Sequence, residues 1–398
     1  MTTKKLLKFL NDEIVPKIPK FKDVKFSNKS SQLMKKLFRN IKSASSKWNN
    51  QCLLNKIKYN TVEFRKGKNY FFLNETIKSN VEKLQNGYYC KMNVLKRDVN
   101  ICVYGNKNII TENFVKQVFR KVYIWLYVAF LYAPTQCSQS LDIYLYLTDM
   151  EKVLPNKGEH IDILNANTAF TTTCMKKTEI HIFRYEEWYK VLIHETFHCL
   201  GLDFSEMDNE KTKIPILKLF SVKSEVNLSE TYCEVWAETL NIMFIAFEND
   251  VRENIDMMIY KTENLLKWEQ LFSLFQCSKV LDFYGMTYGG LTGGKGQTQA
   301  KFKEKANVLA YYILKSIIIF YINDFIEWCV DKNGKEVLNF DKIRNYENNL
   351  AEYCGFIREH YKREEFIHII NVLNHWFLER KTVKNEFEMK TMRMSIFG

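Results

Sequence analysis

The spacing of hydrophobic and polar positions becomes readable near residue 96 and changes several times along the chain. A period of two is typical of a strand with one buried face, whereas a long run without Gly or Pro predicts a helix. The pattern predicts the order β-α-β-β-β-α. The strands are expected at 98–104, 141–147, 167–173 and 179–184, and the helices at 112–133 and 185–200, the latter stopped by Gly201 in a left-handed conformation.

Beyond Gly201 the pattern is helical to about residue 380, with one glycine-rich interruption at 285–296. A group of strands followed by a long helical part predicts an α+β protein. Four segments are expected, and they are a basic N-terminal extension (1–95), a unit with a small twisted sheet and one helix (96–210), a helical C-terminal subdomain (211–380) and a tail (381–398).

Two apolar runs, 122–133 and 308–322, were considered as membrane spans. They contain twelve and fifteen residues, and the second includes Lys315. A helix needs about 20 apolar residues to cross a bilayer, so both runs are expected to be buried helices. Residues 1–10 have no apolar core of a secretory signal, which predicts an intracellular, non-secreted protein.

Charge is concentrated at the start of the chain. The net charge is +12, and residues 1–50 contain thirteen Lys and Arg against three Asp and Glu, which gives +10. A basic arm of this kind suits a polyanion such as nucleic acid, or an anionic membrane face. A solvated, solubilising surface is the alternative interpretation of the same charge.

The ten cysteines are scattered and form no C-x-x-C pair, so the sequence predicts reduced thiols and no zinc knuckle. Gly289, Gly294 and Lys295 match part of a phosphate-binding loop. Gly296 stands where that loop needs a hydroxyl for magnesium, so no nucleotide cofactor is expected. A mobile loop over a cleft is the preferred interpretation of these glycines.

The strongest chemical signal is the sequence His194-Glu195-Thr196-Phe197-His198 in the predicted helix 185–200. Residues four apart on a helix share a face, so the two imidazoles can bind one metal ion. Glu195 is rotated by one residue and can reach a water without binding the metal. These residue types at this spacing are typical of a catalytic zinc site with one zinc per chain.

This motif, placed mid-helix after a strand, resembles the zincin metallopeptidases over about residues 98–241. The resemblance implies a zincin-like catalytic domain with a helical C-terminal subdomain, similar to zincin-like proteins of large DNA viruses. Such an origin implies the host cytoplasm or the virion. In zincins the antiparallel edge strand binds the substrate backbone, a role that falls here on Asn167, Thr168, Ala169 and Phe170. An ordinary edge strand is the alternative.

The third zinc ligand separates two zincin groups. In the H-E-x-x-H-x-x-G-x-x-H pattern the third His would stand at Phe204, which cannot bind zinc, and Asp203 is one position off. A gluzincin-like site takes a Glu from a later helix. Glu230 is the preferred candidate, and Glu234 is the alternative ligand or a carboxylate that holds a ligating His.

The resemblance implies a zinc-dependent peptidase in which Glu195 activates a zinc-bound water. The family uses a further donor for the oxyanion, and the candidates are Tyr232, Tyr288 and His375. The alternative function is an inactive zincin-fold structural or virion-associated protein that binds nucleic acid or membrane through residues 1–50. An intact Glu195 favours the enzyme.

Overall fold

The computed structural model describes residues 2–18, 21–50, 64–106, 108, 110–250, 254–293, 301–334, 337–342, 346–380 and 386–398. A five-stranded sheet lies among many helices, so the predicted α+β class is confirmed. The helices are Thr2–Phe9, Asn28–Asn50, Glu75–Val81, Glu112–Phe130, Ile163–Ala166, Trp188–Cys199, Glu210–Leu217, Leu228–Glu248, Ile255–Phe283, Tyr288–Gly293, Lys315–Phe320, Ile322–Asn333, Tyr346–His360, Glu364–Glu379 and Glu386–Lys390, with π-helical turns at Leu10–Ile14 and Leu309–Leu314 and 3-10 turns at Val15–Lys17 and Tyr70–Phe72.

The sheet has the strand order β1-β2-β3-β5-β4. The neighbours β2, β3 and β5 run parallel, whereas β1 and β4 are antiparallel to their partners and form the two edges. Helix Glu112–Phe130 joins β2 to β3, and helix Trp188–Cys199 follows β5. The strands are β1 Asn86–Val94, β2 Arg97–Gly105, β3 Ser140–Leu147, β4 Ala169–Thr171 and β5 Lys177–Ile182.

Strand β1 lies inside the segment predicted as an N-terminal extension, so the sheet begins before residue 96. β1 and β2 are joined by Leu95 and Lys96, which both have positive φ (47° and 69°). Such tight hairpin turns usually contain Asn or Gly, because those residues adopt positive φ most easily. The usual turn signal is therefore missing from the sequence at this hairpin.

The N-terminal helices belong to the core. Helix Asn28–Asn50 packs against helices Glu112–Phe130, Ile255–Phe283 and Ile322–Asn333. Leu37 and Phe38 on its inner face are fully buried. The helical spacing of these apolar residues inside a lysine-rich sequence gives one buried face and one charged face.

Much of the positive charge of residues 1–50 is paired within the molecule. Five of its lysines form ion pairs with carboxylates located beyond residue 250, and most of these pairs are exposed. The charge is therefore not presented as a free basic arm. The pairs are Lys5–Glu388, Lys22–Glu365, Lys25–Glu263, Lys29–Asp331 and Lys35–Asp256.

The prediction that all cysteines are reduced is wrong for one pair. Cys137 and Cys174 form a disulfide that closes the loop before β3 against the loop before β5. Gly201 lies against this disulfide with φ of 61°, as expected for the end of the preceding helix. A Cβ at Gly201 would lie 3.2 Å from the Cys137 sulfur, so the position is also tightly packed. The sequence separation of 37 residues gave no local signal for the bond.

Both apolar runs are buried in the core, apart from the half-exposed Leu131 and the partly buried Phe320 and Tyr321. Across the described ranges, no single helix has the length and hydropathy to cross a membrane. Only the pair Leu309–Phe320 and Ile322–Asn333, bent by 89°, meets the criterion when the two helices are taken together. Lys315 in this pair is fully buried and forms an ion pair with Glu238 at 2.7 Å.

The segment predicted as a tail is buried from Thr391 to Ile396, whereas 381–385 lie outside the described residues. Its backbone is held by buried carboxylates. The amides of Met394 and Ser395 donate to Glu187 Oε1 at 3.1 and 2.8 Å, and the amide of Ile396 donates to Glu269. The apolar residues of this segment stand at alternate positions, a pattern typical of a strand, and they are buried in the core.

A substitution in helix Asn28–Asn50 tests whether it is part of the core. Phe38→Ala is expected to lower the free energy of unfolding by about 3–5 kcal/mol because it empties a packed site. The neighbouring control Arg39→Ala, at an exposed position, should change it by less than about 0.5 kcal/mol. Urea unfolding followed by circular dichroism measures both. A small effect for Phe38→Ala would mean that this segment is a loosely attached arm.

Candidate metal centre

Two helices build the site, and we call Trp188–Cys199 the motif helix and Leu228–Glu248 the carboxylate helix. They pack closely against each other. The motif helix begins after Glu187, which has φ of 60°, and is buried along its whole length after Trp188. Both helices therefore have fixed positions, and side chains on their facing surfaces meet with little freedom.

His194, His198 and Glu230 meet at this junction. The Nε2 atoms of the two imidazoles are 3.2 Å apart. Glu230 Oε2 is 3.1 Å from Nε2 of His194 and 3.5 Å from Nε2 of His198. Three potential ligand atoms thus form a nearly equilateral triangle.

This triangle fits a zinc ion. Zinc bound by nitrogen and oxygen at about 2.0–2.1 Å in a tetrahedron places its donors roughly 3.3 Å from each other. The three separations lie on either side of that value. Two neutral imidazoles and one carboxylate are also the donor types that zinc accepts, with one position left for a further ligand.

The other nitrogen of each imidazole is held by a second carboxylate. Glu234 Oε2 is 2.9 Å from Nδ1 of His194, and Asp203 Oδ2 is 2.7 Å from Nδ1 of His198. A proton on Nδ1 in each ring leaves Nε2 with a free lone pair directed at the triangle. Of the two glutamates considered from the sequence, Glu230 lies in the ligand position and Glu234 lies behind His194. Asp203 lies behind His198 and is not in the ligand triangle.

The ionisation of these groups reflects burial and charge. Burial opposes ionisation of Glu230, but in the metal-free site the charge of protonated His198 and the hydrogen bonds from both imidazoles hold its pKa well below the usual value. Burial raises the pKa of Glu195, which is only partly offset by His194 and His198. Glu230 is therefore an ionised donor, and Glu195 is a better proton acceptor than a solvated carboxylate.

A small cavity of about 30 Å³ adjoins the site. His194 and Glu195 form one wall, and Asn167, Thr168 and Ala169 at the start of β4 form another. β4 is an edge of the five-stranded sheet, a position that fits both a substrate-binding strand and an ordinary edge strand. Phe170, the fourth residue expected there, instead stacks on His181 at 4.7 Å between ring centroids and does not line the cavity.

The structure does not bring the three candidate oxyanion donors to this cavity. The Tyr232 hydroxyl donates to the carbonyl of Leu338, and the Tyr288 hydroxyl donates to the carbonyl of Tyr361. Tyr232 lies two residues after Glu230, so on a helix it points away from the metal face. The side chain of His375 is 70% exposed and pairs with Glu379.

Tyr311, which the sequence analysis missed, lies at the site instead. Its hydroxyl donates to Glu230 Oε2 at 2.6 Å, and its ring centroid is 6.0 Å from that of His194. It belongs to the π-helical turn Leu309–Leu314, a type of turn that is frequent at functional sites. Tyr311 stands inside an apolar run, where nothing in the local pattern distinguishes it from a core residue.

Comparisons with family models, with curated proteins and with solved structures found no match to this chain. What bears on its chemistry is therefore the geometry of these side chains.

Two glutamates one turn apart on the carboxylate helix allow a matched test of the metal site. Glu230→Gln is expected to abolish stoichiometric zinc binding, because the triangle loses its charged donor. Glu234→Gln should retain zinc with an affinity lower by about 10–100-fold, the usual effect of removing an outer carboxylate. Elemental analysis and zinc titration measure these outcomes.

The exposed His375 supplies the control, since His375→Ala should bind one zinc per chain like the wild type. Equal zinc content in wild type and Glu230→Gln would contradict the assignment of Glu230.

Proposed function

We propose that this protein is a zinc-dependent peptidase with a gluzincin-like site. The observation that carries the proposal is the triangle of His194, His198 and Glu230, with donor separations suited to zinc, beside Glu195 and an edge strand. Its resemblance to the zincins belongs to the same proposal. His194, Glu195 and Tyr311 line one cavity, and His198 and Glu230 complete the triangle beside it.

His194, His198 and Glu230 would hold the zinc. A zinc ion bound there would act as a Lewis acid that polarises a carbonyl and acidifies water. Glu234 and Asp203 keep the two imidazoles in the tautomer that such binding requires.

Glu195 is the general base in this proposal. It directly follows a metal-binding residue and lines the same cavity as His194, yet it is absent from the ligand triangle. It can accept a proton from the attacking water and deliver it to the leaving amine nitrogen. Burial raises its affinity for that proton, which favours the transfer.

Tyr311 is proposed to stabilise the oxyanion. Burial and the neighbouring Glu230 raise its pKa well above the usual value, so the hydroxyl stays protonated and able to donate. In the structure it donates to Glu230, which shows that it reaches the ligand triangle. A donor fixed beside developing negative charge lowers the activation barrier.

The position of β4 supports a peptide as substrate. β4 has β5 on one side and no strand from the described ranges on the other, and the residues that precede it line the cavity beside His194. An extended peptide can pair with such an edge through its backbone. The alternative, an inactive protein that binds a polyanion through residues 1–50, has less support because five of the twelve lysines there are paired with carboxylates of the same chain.

Catalysis is tested by Glu195→Gln, which keeps the shape of the side chain and removes the base. Hydrolysis of peptides should fall by about 10²–10⁴-fold, while zinc content should equal that of the wild type. Cleavage of a peptide library, measured by mass spectrometry, reads out the rate, and elemental analysis reads out the metal. An unchanged rate would show that the activity does not use this site, and the polyanion-binding alternative would then be preferred.

A second test compares two tyrosines. Tyr311→Phe should lower kcat by roughly 10²–10³-fold, the range seen when one oxyanion donor is removed, with zinc retained. Tyr288→Phe should have wild-type kcat, because its hydroxyl bonds to the carbonyl of Tyr361 away from the cavity. Steady-state kinetics distinguish the two variants. Equal kcat for both would remove Tyr311 from the mechanism.

A further inference from the structure

The cavity beside the metal centre has a wall that comes from the end of the chain. Met394 lines it together with Val191 of the motif helix and residues 166–169. The same cavity touches His194 and Glu195, so a group that enters it lies next to the reacting atoms. The C-terminal segment thus contributes directly to the shape of the proposed active site.

Met394 is held rigidly. Its amide donates to Glu187 Oε1 at 3.1 Å, and its carbonyl accepts from Lys315 Nζ at 2.8 Å. Both partners are fully buried, and Met394 itself is 3% exposed. The backbone of Met394 is therefore fixed on both sides. It cannot move away from the cavity without breaking buried hydrogen bonds, and each of these is costly to lose.

The cavity is small. A volume of about 30 Å³ accommodates a water or two, which corresponds to a side chain of one or two heavy atoms. Leucine, phenylalanine and lysine side chains are much larger than this space. The walls are well packed, and adding even one methylene to a packed interior is unfavourable.

Both lysines that line the cavity are already paired. Lys152 binds Glu187 at 2.8 Å, and Lys190 binds Glu234 at 2.5 Å. An acidic substrate side chain would find no unpaired lysine among these groups, and Glu195, the other carboxylate in the lining, is the proposed general base. Thr168 Oγ1, in contrast, is buried without a hydrogen-bond partner in the described part of the chain, so a small hydroxyl or a water would satisfy it.

We propose that this cavity is the specificity pocket and that Met394 sets its size, so that the substrate residue entering it, next to the scissile bond, is glycine, alanine or serine. This inference rests on the proposed peptidase function. It assigns the C-terminal segment a role in choosing the substrate, because its burial closes the pocket.

The test uses the full-length, zinc-loaded protein and a library of peptides derived from a denatured proteome, with products identified by mass spectrometry. Wild type should cleave only where a small residue occupies one fixed position beside the scissile bond. Met394→Ala should extend cleavage to peptides with leucine at that position and raise kcat/KM for them by about 10–200-fold. This is the usual change in kcat/KM when a hydrophobic pocket gains room for one more methylene of the substrate.

Met392→Ala is the matched control, since Met392 is fully buried in the same segment and does not line the cavity. It should keep the wild-type preference. Val191→Ala enlarges the pocket at the motif helix and keeps the test informative if Met394→Ala does not fold, as judged by circular dichroism.

The outcomes separate the two proposals. Cleavage by wild type without a preference for small residues, or an unchanged preference in both enlarged variants, would overturn the pocket assignment and leave the peptidase function standing. A zinc-loaded wild type that cleaves no peptide would overturn the peptidase function, and the pocket assignment with it.

Discussion

The candidate metal centre depends on one buried carboxylate, Glu234, which joins the two helices of the site. It accepts from Lys190 at 2.5 Å and from Nδ1 of His194 at 2.9 Å. Removing one partner of a buried, hydrogen-bonded ion pair typically costs about 3–5 kcal/mol, because the other charge is left without compensation. The same contacts that hold the motif helix against the carboxylate helix therefore also set the orientation of the first imidazole. Stability and site geometry are coupled here.

Glu187 extends this arrangement from the start of the motif helix to the end of the chain. Burial opposes its ionisation, but Lys152, Lys190 and Arg393 lower its pKa to about 2. The ionised carboxylate then accepts the amides of the C-terminal segment. The negative charge of Glu187 thus compensates the buried lysines and also holds the backbone of Met394 in place. The wall of the cavity is fixed by the same network that fixes the metal-binding helix.

The sheet and the N-terminal helices give these contacts a rigid base. The parallel core of β2, β3 and β5 ends directly before the motif helix, and β4 brings residues 167–169 to its side. Helix Asn28–Asn50 packs on helix Glu112–Phe130. Two of its lysines, Lys29 and Lys35, pair with the distant carboxylates Asp331 and Asp256. A strongly basic segment can therefore be part of a folded core when its apolar residues repeat with the period of a helix.

The sequence by itself determined the features that depend on short spacing. Two histidines four residues apart on a helix, a glutamate between them and alternating strands follow from local periodicity, so the α+β class and the motif could be predicted. Tertiary structure decided three other features. These are which of Glu230 and Glu234 lies in the triangle, the presence of Tyr311 and Met394 at the cavity, and the hairpin at Leu95. Glu230 and Glu234 lie one turn apart, so the packing of the two helices decides which of them faces Nε2 of His194 and which faces Nδ1. Tyr311 and Met394 reach the cavity from positions more than a hundred residues after the motif, where no local pattern indicates which buried residue faces a site and which faces the core.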